Sequence, residues 1–196
     1  RFKPGQPYNI AAVEDLHRAL IATSLVSKVE LIALPDANDR ADIQVRLEAA
    51  PPRTIAAELG YGSGEGFKIA GSWQHRNFFP PEGALSLKGT LGTQEQSVNA
   101  IVKRSNFKRR DQSLWLKSDL SNLDYRAYTA KSFIVGAALE RQTNIIWQKK
   151  WVWSLGLDFT ATQETAASST TPRNVYGIIS APLLLRYDGS DDLLNP

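Results

Sequence analysis

Between Ile10 and Ile21 the apolar residues Ile10, Val13, Leu16, Leu20 and Ile21 recur at the three- and four-residue intervals that line one face of a helix. Pro7 and Asn9 precede them as start signals, and Glu14 and Asp15 are expected in the early turns, where the helix dipole favours acids. From Ser27 to Leu34 the interval drops to two, with Val29, Leu31 and Ala33 on one face. Ile43, Val45 and Leu47 repeat that alternation, and the segment from Pro35 to Asp39 between them has turn chemistry. The N-terminal part therefore predicts helix, strand, turn and strand.

Pro51 and Pro52 punctuate the chain, and beyond them only the two-residue period persists. Ile55, Ala57, Leu59 and Tyr61 alternate with Thr54, Glu58 and Gly60. After the glycine-rich stretch Gly62-Ser63-Gly64-Glu65-Gly66, the residues Phe67, Ile69, Gly71 and Trp73 alternate with Lys68, Ser72 and Gln74, which predicts a hairpin. Further alternating segments cover 84–91, 97–104, 113–122, 126–141, 147–162 and 173–188. The total is about eight, many close to the roughly 9 to 11 residues of a tilted strand that crosses a bilayer. Trp151, Trp153, Leu155, Leu157 and Phe159 form one face of such a strand, against Val152, Ser154, Gly156, Asp158 and Thr160. Leu183, Leu185 and Tyr187 form the same kind of face, and these eight apolar residues are the candidates to meet lipid. Trp73, Trp147, Trp151 and Tyr187 are candidates for interfacial girdles near strand ends. The same alternation also fits a soluble β-sandwich in which those side chains form a core.

Composition narrows the classes. In 196 residues, 42% are apolar and 22% charged, a balance that folds, and the net charge of +3 points strongly to neither nucleic acid nor an acidic substrate. No cysteine is present, so disulfide scaffolds and thiolate metal sites are excluded. No apolar run approaches the roughly 20 residues of a membrane helix, a criterion that leaves a transmembrane β-barrel open. Both ends, Arg1 without a leader and Pro196 after a turn-rich stretch containing Asp191 and Asp192, read as cuts in a longer protein.

Catalytic chemistry has no constellation to stand on. His17 and His75 are the two histidines, and neither has a partner at metal-ligand spacing. There is no nucleophile elbow around the serines, so no catalytic, metal or cofactor residue is assigned. The glycines from Gly60 to Gly66 lack the Lys-Ser/Thr ending of a phosphate loop and lead into a strand. The basic cluster Lys103, Arg104, Lys108, Arg109 and Arg110, with Phe107 inside it, is expected in a solvated turn; nucleic acid or anionic lipid headgroups are its alternative partners.

A resemblance gives these elements a shared context. Lys3-Pro4-Gly5-Gln6-Pro7-Tyr8, the helix with Leu16 and Leu20, and Thr23-Ser24-Leu25-Val26-Ser27-Lys28-Val29 resemble the second half of a POTRA module, a periplasmic polypeptide-transport domain. Pro52-Arg53-Thr54, Gly60-Tyr61-Gly62-Ser63 with Gly66, and Trp73-Gln74-His75-Arg76-Asn77 with Phe78 resemble the first barrel hairpin of the BamA/TamA superfamily of outer-membrane assembly factors. Leu185-Arg186-Tyr187-Asp188, Asp191-Asp192 and Leu194-Asn195-Pro196 resemble that family's mid-barrel stretch. The chain departs from the pattern at Ser24 and Val26, near which the family carries glycine and phenylalanine.

The resemblance implies a mainly β fold: a partial α+β POTRA module over 1–50, then about eight antiparallel transmembrane strands of a larger barrel over 51–196. It implies a non-enzymatic outer-membrane factor of a Gram-negative bacterium that inserts or translocates client proteins without a cofactor, its N-terminal part in the periplasm. Clients would pair with the edge of the first barrel strand, Thr54, Ile55, Ala56, Ala57, Glu58, Leu59, Gly60 and Tyr61, at a lateral gate. The POTRA strand Val29, Glu30, Leu31, Ile32, Ala33 and Leu34 would capture extended polypeptide by the same edge addition. Expected partners are unfolded outer-membrane or secreted polypeptides, outer-membrane lipid and a periplasmic or inner-membrane protein, with no nucleic acid. The alternatives are a two-partner-secretion transporter and a soluble β-rich binding protein. A half-barrel of this kind can close as a small barrel, stay open or pair its edges with another copy, and in a crystal the pairing between copies is the expectation.

Overall fold

The computed structural model describes residues 5–36, 40–146, 149–166 and 174–188. The chain divides into two compact units, Arg1–Pro52 and Arg53–Pro196.

In the first unit, helix α1 spans Ile10–Ala22. Its N-cap is Asn9, whose side-chain oxygen accepts the Ala11 amide at 2.9 Å and so satisfies one orphan donor of the first turn. No acidic residue lies in that first turn; Glu14 and Asp15 stand in the second. At the other end the Thr23 and Ser24 amides donate to the carbonyls of Leu20 and Ile21. Ser24 adopts φ 58°, the left-handed conformation that usually falls to glycine after a helix. Strands β1 (Val26–Asp36) and β2 (Arg40–Ala49) follow as an antiparallel pair. Val29, Leu31 and Ala33 face Leu47, Val45 and Ile43 across the ladder, so one face carries the apolar residues of both strands. Helix α1 packs against β1, and Val29 is buried, while Val45 and Leu47 stay exposed. The expected turn at Ala37, Asn38 and Asp39 lies outside the described residues.

The second unit is a meander in which successive strands from β3 to β10 pair antiparallel with their sequence neighbours, and β11 pairs with β9. Its strands are β3 (Arg53–Gly62), β4 (Gly66–Phe79), β5 (Gly83–Gly92), β6 (Glu95–Arg104) and β7 (Gln112–Asp124). The longer β8 (Tyr128–Ile146) and β9 (Lys149–Ala166) come next, then β10 (Asn174–Ser180) and β11 (Leu183–Asp188). Both β10 and β11 pair with β9 in one continuous register, Ser180 opposite Asp158 and Leu183 opposite Leu155. They are a single ribbon, interrupted where Pro182 supplies no amide to the ladder. The Pro182 carbonyl still accepts the Gly156 amide at 2.9 Å, and a Cβ on Gly156 would come within 2.9 Å of the proline ring. Counted this way the sheet has eight ribbons, with β3 on one edge and β10/β11 on the other.

The β3–β4 hairpin turns on glycine. Gly62 opposes Gly66, whose φ of 78° and close approach to Thr93 (2.6 Å from an added Cβ to Oγ1) leave no room for a side chain without movement. Thr93 ties that turn to the next one, its hydroxyl accepting the Phe67 amide at 3.1 Å and its own amide donating to the Phe67 carbonyl at 2.9 Å.

Candidate functional site

Partners across an antiparallel ladder project to the same face, so the registers sort the sheet's side chains into two sets. One face carries Lys68, Ser72, Gln74, Lys88, Thr90, Asn99, Lys117, Asp119, Ser132, Asp158, Thr160 and Thr162. The opposite face carries Ile55, Leu59, Ile69, Leu87, Leu91, Val98, Leu116, Leu120, Phe133, Val135, Leu155, Leu157, Phe159, Ile179, Leu183 and Leu185, every one of them exposed. Such a contiguous apolar surface is foreign to a monomer in water. The polar face also carries apolar side chains, at Ile101, Trp115, Leu123, Ile134 and Val152 within the sheet and at Tyr176, Ile178 and Leu184 on the edge ribbon.

The eight candidate lipid-facing residues all fall on the apolar face. Leu155 opposes Leu183, Trp153 opposes Leu185 and Trp151 opposes Tyr187, with the last two rings 4.8 Å apart. Leu157 and Leu183 expose 60% and 75% of their surface, where a sandwich core would bury them. Trp151 and Tyr187 lie near strand ends, but Trp73 does not: it sits mid-strand on β4 between Ile55 and Leu87, so alternation placed its face and misjudged its height. Trp147 lies outside the described residues.

Strand β3 pairs with β4 alone among the described residues, and Thr54 to Tyr61 are all exposed. The candidate pairing edge is thus a free row of backbone donors and acceptors. In the first unit β1 pairs only with β2, which leaves the Val29 to Leu34 segment with one unpaired side among the described residues. On that strand the Lys28 ammonium lies 2.6 Å from the Glu30 carboxylate. Their hydrogen bond and opposite charges hold Glu30 below, and Lys28 above, its ordinary pKa.

Two ion pairs on the polar face could not be found from sequence, because each reaches over an intervening strand. Lys117 on β7 meets Asp158 on β9 at 2.9 Å, directly over Gly136 on β8. A Cβ on Gly136 would stand 2.0 Å from the Asp158 Oδ1, so the glycine is what admits the contact. Lys68 on β4 meets Glu95 on β6 at 3.0 Å past Gly92 of β5 in the same manner.

The basic cluster occupies the end of β6 and the turn to β7. Lys103 lies over the Trp115 ring at 4.6 Å and Lys108 over the Phe107 ring at 5.5 Å. A cavity of about 280 Å³ adjoins that turn, between Pro81, Glu82, Arg104 and Phe107. A shallow groove of about 650 Å³ crosses the sheet elsewhere, combining a polar row (Gln96, Asn122, Lys131, Gln163) with an apolar one (Val98, Leu120, Phe133, Ala161). Among the described residues, no three histidine, aspartate or glutamate side chains lie close enough together to hold a metal ion.

Comparison with known proteins yields a fold. No family model and no curated protein matches the chain. Among solved structures, BamA from Haemophilus ducreyi lacking POTRA domains 1–3 matches with a TM-score of 0.68 at 19% sequence identity. The match covers all of this chain and 41% of that one, so the chain spans less than half the length of the protein it resembles. The chain therefore has the fold of part of a BamA-like molecule, predominantly antiparallel β with one helix.

Proposed function

We propose that the protein is an outer-membrane β-barrel assembly factor of the BamA/TamA kind, which inserts or translocates client polypeptides by pairing them with β3 at a lateral gate. The observation that carries this is the union of a lipid-suited face with a free edge: one face of a BamA-like sheet is apolar and exposed, and its first strand has an unpaired side among the described residues. A bilayer tolerates such a face and penalises an unsatisfied backbone, so an open edge in lipid recruits another strand. Backbone hydrogen bonds carry no side-chain code, which lets one edge serve many clients. Burial of the client in the membrane supplies the driving force, so the role needs neither catalysis nor a cofactor.

The first unit would be the end of a POTRA module in the periplasm, its β1 edge from Val29 to Leu34 receiving extended polypeptide. Client polypeptides, outer-membrane lipid and a periplasmic or inner-membrane protein are the partners, and nucleic acid is not.

A photo-crosslinker at Glu58 on β3, compared with one at Lys117 on the polar face, tests the mechanism in cells assembling outer-membrane proteins. Client adducts concentrated at Glu58 are expected. Adducts concentrated at Lys117 would instead mark a chain threaded through a lumen, the two-partner-secretion alternative. Purification of the protein from the aqueous fraction, free of membrane, would favour a soluble binding protein.

A further inference from the structure

The apolar face has a border whose chemistry is more specific than lipid exposure requires. Towards the end of the sheet where β3 begins, the apolar run on that face, interrupted on β7 by Ser118, ends at Arg53 on β3, His75 on β4, Arg104 on β6, Gln112 on β7 and Arg141 on β8. Arg53 and His75 are ladder partners. Arg104 stands opposite Gly83, two residues beyond the partner of His75, and Arg141 stands opposite Gln112, two residues beyond the partner of Arg104. The border thus climbs by four residues from β4 to β8.

That climb has a geometric meaning. Four residues of strand rise roughly 13 Å and four strand spacings span roughly 19 Å, an inclination of about 35°. Barrel strands tilt from their axis by about 35 to 45°. A border inclined by that angle to the perpendicular of the strands runs level when the strands tilt by the same angle, in the matching sense, in a membrane. Three of its five members are arginines.

Resting on the membrane reading above, we infer that Arg53, Arg104 and Arg141 form a phosphate-binding rim on the apolar face and hold the anionic headgroups of membrane phospholipids. Arg53 and Arg104 are exposed, and Arg141 is half-buried between its ladder neighbours Gln112 and Trp153. The Arg141 Nε is a buried donor with no hydrogen-bond partner, a state that costs free energy until an acceptor arrives. A guanidinium fork suits a phosphate's oxygens, and Trp153 beside it suits the boundary between hydrocarbon and headgroup. The opposite border of the band is of another kind: Gln96, Asn122, Lys131 and Gln163 mix amides with one lysine. The cationic rim belongs to one end only.

The test uses the full chain in phosphatidylcholine vesicles with and without phosphatidylglycerol, reading the boundary-layer affinity of spin-labelled lipids of each type. Phosphatidylglycerol should be preferred over phosphatidylcholine, with Arg104→Gln and Arg141→Gln each lowering the preference by about fivefold. Arg104→Lys and Arg141→Lys should retain most of it, Lys131→Gln on the other border should leave it unchanged, and molar salt should abolish it. A boundary layer that forms but has equal affinity for both lipids would overturn the rim alone. So would a preference that Lys131→Gln lowers as much as the arginine variants do. Absence of any boundary layer, in either vesicle, would remove the membrane reading and the rim with it.

Discussion

Ser24 shows how a single residue can carry the tension between a fold and its sequence. The corner from α1 to β1 needs a left-handed residue, and a serine there bears a steric cost that glycine avoids. Ser24→Gly should therefore stabilise the first unit by about 0.5 to 1 kcal/mol, the relief of strain outweighing the glycine's extra chain entropy. Slower hydrogen exchange of the α1 and β1 amides would register it, and faster exchange would refute it. Gly136 presents the converse case, a backbone position kept bare so that Lys117 and Asp158 can meet above it. Gly136→Ala should separate that pair and displace its neighbours at a cost of about 1 to 3 kcal/mol, seen as a lower urea midpoint. The residue types alone hinted at the first effect, through the family's glycine near Ser24. They could not reveal the second, because the contact joins strands that sequence does not place side by side.

At the scale of elements, the two-residue period was enough to locate the strands. Trp151 to Thr160 alternate so regularly that β9 and its two faces follow from the order of residues, and the segments at 84–91 and 97–104 lie within β5 and β6. The helix and the β1–β2 pair were legible for the same reason, since their intervals change from helical to alternating between Ile21 and Ser27. Lengths and registers were not legible. β8 runs 19 residues, and the break at Pro182 leaves the register of the last ribbon intact because Gly156 makes room opposite it. The faces of β9 predict contrasting tolerances in lipid. Leu157→Arg on the apolar face should cost about 2 to 4 kcal/mol, as a charge near the bilayer midplane does. Thr160→Lys on the polar face should change stability by less than about 1 kcal/mol. Equal penalties in denaturant titrations from lipid vesicles would contradict the assignment of faces.

For the whole molecule, the decisive feature is the separation of the sheet into an apolar face and a largely polar one, with β3 and β10/β11 as edges among the described residues. Sequence alternation supplied the idea of two faces, yet only the registers put Leu59, Leu120 and Leu183 on the same one, and only they gave the apolar band its inclined border. The edge mechanism, the arginine rim and the POTRA assignment all depend on that face meeting lipid. The absence of native cysteine allows single cysteines to be placed cleanly along β9. Spin labels at positions 151 to 163, with the full chain in phospholipid vesicles, would report collision rates with oxygen, which concentrates in hydrocarbon, and with a water-soluble nickel complex. The account predicts two opposed oscillations of period two, oxygen highest at Leu155, Leu157 and Phe159 and nickel highest at Ser154, Asp158 and Thr160. Uniformly low access to both reagents at Leu155, Leu157 and Phe159 would mean that protein covers them, and would contradict it.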